Sequence, residues 1–99
     1  MSNNWEIKRI VFARHALTQI FKRSISIDEV EAVISHYEIV AEYPDDTPFP
    51  SRLVLGFVEQ KPLHVVLGYD EKDKIGYVVT AYRPDSSQWE PSFIRKRKP

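Results

Sequence analysis

The chain has 99 residues, enough for one modest hydrophobic core and too few for two, so residues 1–99 read as a single domain. An apolar share of 42% with 12% aromatics excludes a disordered chain, and the absence of cysteine excludes disulfides, thiolate catalysis and sulfur-ligated zinc, which fits a reducing cytoplasm. Fourteen basic and fourteen acidic side chains cancel, but residues 1–23 hold five basic and one acidic, residues 24–51 hold seven acidic and no basic, and residues 95–98 read Arg-Lys-Arg-Lys.

In chain order, Phe12, Ala16 and Ile20 form one apolar stripe at helical spacing, with Leu17 and Phe21 beside it, which predicts a helix from about Ala13 to Lys22. Arg23-Ser24-Ile25 leaves room for a tight turn. Ser26-Ile27-Asp28-Glu29 is a capping-box pattern that starts a second helix, whose apolar residues Ile27, Val30, Val33 and Ile34 keep a 3.6-residue period. The helices therefore occupy about residues 13–35, with His36 at the C-terminal end of the second. Tyr37 to Tyr43 reads as an edge strand, and Pro44 to Pro50, with three prolines, as a loop.

Arg52 to Glu59, Leu63 to Tyr69 and Ile75 to Tyr82 are rich in β-branched and aromatic residues and bounded by turn chemistry. Their short connections predict an antiparallel meander over about residues 37–83, followed by a basic C-terminal tail at 91–99. The fold class expected is α+β: two N-terminal helices packed on a three- to four-stranded antiparallel sheet. A loop over 70–74 puts Leu67 opposite Tyr77, Val65 opposite Val79 and His64 opposite Thr80. Leu63, Val65, Leu67, Tyr77 and Val79 then face the helices. His64, Val66, Gly68, Gly76, Val78, Thr80 and Tyr82 share the other face, which is either a groove floor or the solvated side of a two-layer domain.

The histidines are the natural candidates for proton transfer near neutral pH. His15 lies early on the first helix and His64 mid-strand near Thr80. Histidines at 15, 36 and 64 lack the short spacing of a metal site, and three glycines confined to the strand region make no phosphate loop, so no metal and no cofactor is expected. Apolar runs are far shorter than the roughly 20 residues that span a bilayer, and the N-terminus lacks a signal-peptide layout, so no membrane partner is expected. Arg14, Arg23, Arg52 and Arg83 offer guanidinium forks for phosphate, while Tyr69, Tyr82 and Trp89 offer stacking planes for bases. Internal attack by a ribose 2′-hydroxyl needs a base, an acid and charge stabilisation but no metal. His15 or His64, with Arg83 and a tyrosine, match those roles.

Arg14-His15-Ala16, then Arg23-Ser24-Ile25-Ser26 and Val30, then Leu63-His64-Val65-Val66, and Thr80-Ala81-Tyr82-Arg83-Pro84-Asp85 with Trp89, together resemble a family of small bacterial proteins. That family is a domain of unknown function within the RelE/ParE-like toxin superfamily, and the resemblance spans roughly residues 9–90. It implies a helix pair on a twisted antiparallel sheet. It also implies kinship with type II toxins, many of which are messenger-RNA endonucleases neutralised by an antitoxin protein. Carried over by position, His15, Arg23, His64, Tyr82 and Arg83 are the matching residues. Two positions depart from the family pattern: Gln19 stands where a basic residue is usual, and Ser24 where a glycine is usual. The resulting expectation is a toxin-like, metal-independent endoribonuclease with catalytic His15, His64, Tyr82 and Arg83, and RNA held by Arg14, Arg23, Arg52 and Trp89. The competing expectation is a non-catalytic protein-binding module on the same scaffold.

Overall fold

A computed structural model describes residues 5–98. Its elements are β1 (Arg9–Phe12), α1 (Arg14–Lys22), α2 (Ile27–Ser35), β2 (Glu38–Tyr43), β3 (Ser51–Val58), β4 (Lys61–Asp70) and β5 (Ile75–Tyr82). The five strands form one sheet in the order β1-β5-β4-β3-β2, with α1 against β5 and α2 against β3 and β4.

The α+β class holds, and the all-antiparallel sheet of three or four strands does not. β2 through β5 make an antiparallel meander, but β1 adds a fifth strand that pairs parallel with β5, Arg9 opposite Ile75 and Phe12 opposite Val78. Four residues without turn chemistry carry little local signal. β1 exists because β5, far along the chain, offers it a hydrogen-bonding edge.

α1 buries Ala16 and Ile20 and ends in a Schellman motif: the Ser24 N–H donates to Phe21 O, and the Ile25 N–H donates to Ile20 O. Such an ending puts the residue after the C-cap in the left-handed region, and Ser24 has φ 57°. α2 begins with the expected capping box, the Ser26 hydroxyl accepting from the Glu29 N–H at 3.0 Å while Glu29 Oε1 accepts from the Ser26 N–H at 2.9 Å. The core joins Ala16, Ile20, Ile25, Val30, Val33 and Ile34 of the helical layer to Val54, Leu63, Val65, Leu67, Val78 and Ala81 of the sheet.

The β4–β5 register differs from the expected one. Asp70 pairs with Ile75, leaving only residues 71–74 as the loop, where the Asp70 carboxylate accepts from the Lys72 and Asp73 N–H groups and Lys74 takes φ 56°. This one-residue shift reverses the facing of β5 up to Val78. Leu67 now pairs with Val78, which is in the core, and Gly76 closes against Ile7 and Leu67. Tyr77 moves to the far face and stacks on Phe49 at 5.2 Å. A bulge at Val79, which stays exposed, shifts the pairing again so that Val65 meets Ala81 and His64 meets Tyr82.

The far face is not simply solvated. The chain after β5 folds back across it, held by a Trp89–Lys96 bridge, and sets Trp89 on His64 and Phe93 edge-on to Phe57.

Candidate functional site

His64 is fully buried at the centre of this far face. Its Nε2 lies 2.8 Å from the Phe93 carbonyl oxygen and its Nδ1 lies 3.2 Å from the Tyr82 hydroxyl. Trp89 and Tyr82 both meet the imidazole edge-on, with ring centroids 4.6 and 5.3 Å away. A carbonyl only accepts, so Nε2 carries the proton. Burial lowers the His64 pKa, opposed by the Phe93 hydrogen bond, so the ring is neutral at pH 7 and Nδ1 presents a lone pair. The Tyr82 hydroxyl therefore donates to His64. Burial, and then the nearby Tyr43, raise the Tyr82 pKa and keep that phenol protonated.

A second polar group lies where β5 runs past the end of β1. The Ala13 N–H donates to Val78 O, the last residue of β5 that β1 covers, and α1 then follows the rest of β5. Arg23 Nη1 donates to Ala81 O at 2.8 Å and to Thr80 Oγ1 at 3.2 Å, and the Thr80 hydroxyl donates in turn to Gln19 Oε1. The exposed β5 edge is thus capped by side chains of α1 rather than by another strand. Arg83, one residue beyond β5, pairs with Glu29 at 2.9 Å. The Ser26 N–H first, and the Arg83 guanidinium second, hold the Glu29 carboxyl below the usual carboxylate range. Arg23, held on the Ala81 carbonyl, and Arg83, the residue after Tyr82, therefore both stand at the end of β5, and both are exposed. Among the described residues, the Arg23 Nε and Nη2 make no hydrogen bond, so half of its fork is open.

The structure brings His64, Tyr82 and Trp89 into contact and joins Arg23 to the end of β5. His15 and Arg14 are exposed on the first turn of α1, away from the His64 face. Arg52 is only 5% exposed and held on two nitrogens: Nε donates to Glu42 at 3.0 Å, Nη1 donates to the Tyr37 hydroxyl at 3.1 Å, and its guanidinium carbon lies 3.9 Å from the Trp5 ring centroid. Trp89 is buried against His64, its ring face approached by Lys96. Neither Arg52 nor Trp89 presents the open surface that RNA contact needs.

Gln19, Glu29 and Phe93 join the site only through the fold. Gln19 lies one turn after His15 and one turn before Arg23, and that spacing was a usable signal. Phe93 contributes a backbone carbonyl, which no side-chain pattern announces. Two clefts lie elsewhere. One of about 400 Å³ on the helical hairpin is lined by Leu17, Phe21, Ile25 and Ile27, and one of about 570 Å³ is lined by Glu42, Tyr43, Asp45, Asp46 and Val66. The acid-rich second cleft repels phosphate. No helix among the described residues is long and apolar enough to cross a membrane, and no group of three or more of their His, Asp or Glu side chains is arranged to hold a metal ion.

A family model described as "Domain of unknown function (DUF4258)" matches residues 12–83. The match runs from the last residue of β1 to Arg83, so the segment covering His64 lies beyond it. No curated protein and no solved structure matches the chain.

Proposed function

The chain belongs to the DUF4258 family, and from that membership we propose that it is a toxin-like, metal-independent endoribonuclease of the RelE/ParE-like kind, paired with an antitoxin protein. The observation that supports this reading is a pair of exposed guanidinium groups at the end of β5, Arg23 on the Ala81 carbonyl and Arg83 one residue after Tyr82, whose hydroxyl is oriented by His64. A phosphodiester seated there receives planar donors on its non-bridging oxygens.

In the reaction, the ribose 2′-oxygen forms a bond to phosphorus while the bond to the 5′-oxygen breaks. The 2′-hydroxyl proton passes to a base, and the leaving 5′-oxygen takes a proton from an acid. The negative charge gathered on the phosphorane falls to Arg23 and Arg83. His15 and His36 are both exposed, and His15 lies on the helix that Arg23 caps, so it takes the acid–base role. His64 has both ring nitrogens engaged and instead holds Tyr82.

The test is incubation of purified protein with single-stranded RNA in EDTA. Cleavage by the parent chain, with at least a hundredfold loss in folded Arg23→Ala plus Arg83→Ala, supports the reading. Equal rates in parent and variant overturn it.

A second reading, a protein-binding module without catalysis, is favoured by one observation. Phe21 is 85% exposed at the mouth of the helical cleft, beside Leu17 and Ile27 at 39% and 45%. Large apolar side chains gathered in this way mark interaction surfaces. Capture of an antitoxin by the parent chain but not by Phe21→Asp, with no RNA cleavage by either, decides for this alternative.

A further inference from the structure

We infer that the face formed by α1 and α2 is the contact between two copies of this chain, a two-fold dimer in which each α1 packs on the other copy's α2. The contact is independent of the endoribonuclease reading and gives the apolar face around Phe21 a definite occupant.

Six large apolar side chains are exposed among the described residues, and three of them, Leu17, Phe21 and Ile27, line one cleft. Phe21 is 85% exposed, so its ring gains little from the fold of its own chain. α1 rests on β5 and α2 on β3 and β4, and the cleft of about 400 Å³ opens on residues of both helices and of the turn that joins them. Its other walls, Leu17, Ile20, Ile25 and Ile27, are aliphatic, which suits a phenyl ring. In a two-fold contact each copy supplies the same patch. A face that carries a projecting ring beside an apolar cleft is therefore complementary to itself.

The charges fit the same partner. α1 carries Arg14, His15 and Lys22 and no acid, while α2 carries Asp28, Glu29 and Glu31 and no base. Glu29 is taken by Arg83. Arg14, Lys22, Asp28 and Glu31 are all exposed and make no ion pair among the described residues. Two open cations thus lie on α1 and two open anions on α2. A partner of uniform charge meets repulsion from one of the helices. A second copy turned about a two-fold axis sets cations on anions twice over, which fixes the register of the contact.

Helices of nine residues are about 13 Å long, which limits the patch to roughly a few hundred Å² per copy, the small end of specific interfaces. The dissociation constant expected is about 10–100 μM. Each copy has its own core, so loss of the contact leaves the fold standing.

Sedimentation equilibrium of the full chain over about 1–500 μM tests this. The weight-average mass is expected to rise from one chain to two and no further. Association should weaken severalfold when salt is raised from about 50 to about 500 mM. Phe21→Asp, at a position with little packing to lose, is expected to weaken association at least tenfold.

Two charge-reversed chains, each checked as folded by circular dichroism, test the pairing of α1 with α2. Arg14→Glu plus Lys22→Glu makes the open charges of both helices acidic, and Asp28→Lys plus Glu31→Lys makes them basic. Each alone is expected to stay monomeric at about 100 μM, and an equal mixture is expected to form a one-to-one dimer, because every acidic helix then meets a basic one. Where Asp28→Lys upsets the first turn of α2, Glu31→Lys alone replaces it in the mixture.

A parent chain that stays monomeric at about 500 μM overturns the inference and leaves the face to an antitoxin. Growth beyond two copies overturns it as well. So does Phe21→Asp associating as tightly as the parent, and so do folded reversed chains that fail to pair when mixed. RNA cleavage is untouched by these results and stands or falls on its own assay.

Discussion

Replacing Gly56 by alanine tests how closely the helical layer is seated on the sheet. A Cβ built on Gly56 would lie 2.9 Å from both Cγ1 and Cγ2 of Val33 and 3.1 Å from its Cβ. All three carbons of the branched side chain surround the added methyl, so no χ1 rotation of Val33 relieves the contact. α2 must instead lift from β3. Overpacking of this kind costs roughly 1–3 kcal/mol. Gly56 does not use a positive φ, so the smaller conformational freedom of alanine in the unfolded chain returns about 0.4–1 kcal/mol. The net loss expected is about 1–2 kcal/mol, or roughly 5–15 °C in Tm for a domain of this size. Urea unfolding followed by circular dichroism measures it. Val33→Ala removes the two clashing methyls, so the double variant should be more stable than the sum of the singles by about 1–2 kcal/mol. A Gly56→Ala chain as stable as the parent, or strictly additive costs, would refute the close seating of α2 on β3. The consequence reaches the site, because α2 carries the Glu29 that holds Arg83.

Further outcomes are expected elsewhere. Ser24→Gly should raise stability by about 0.5–1 kcal/mol, since Ser24 holds a left-handed φ that glycine adopts freely; a thermal melt checks the sign. Ser26→Ala removes the acceptor of the capping box and should cost about 1 kcal/mol in urea unfolding, with no change in the slope against denaturant. His64 is neutral in the fold and its pKa is lowered from the ordinary 6.5. The unfolded chain therefore binds the extra proton first, and stability should decline as pH falls below about 6.5 toward the folded-state pKa. His64→Phe should flatten that part of a stability–pH curve. Glu29→Gln leaves Arg83 without a charged partner and should tighten binding of single-stranded RNA by severalfold at low salt, read by fluorescence anisotropy; weaker binding would mean that Arg83 faces away from the nucleic acid.

Much of this fold was legible in local sequence, for identifiable reasons. The stripe Ala16–Ile20 and the Ser26–Glu29 box act over one or two helical turns, and both helices appear where those signals lie. The proline-rich stretch ends β2, and the β-branched runs mark β3, β4 and β5 within two residues. β1 was hidden because its stabilisation comes wholly from a strand at the other end of the chain. The β4–β5 register differs because it turns on one residue: Asp70 closes the hairpin and caps its loop, and the bulge at Val79 then pairs His64 with Tyr82 where the sequence had set it opposite Thr80.

The candidate site divides along the same line. Residue types alone singled out His15, His64, Tyr82, Arg14, Arg23 and Arg83 as candidates, since imidazole, phenol and guanidinium carry their chemistry wherever they stand. Arg52 and Trp89 have the same chemical promise, but only packing reveals that Arg52 lies between Trp5, Glu42 and Tyr37, and that Trp89 covers His64. What the amino-acid sequence determined by itself was the set of elements and the stock of reactive groups, because propensity, capping and side-chain chemistry act over a few residues. What the tertiary structure alone decided was which groups remain available and in which proton state, because burial, strand register and a single backbone carbonyl at Phe93 arise only when distant segments meet.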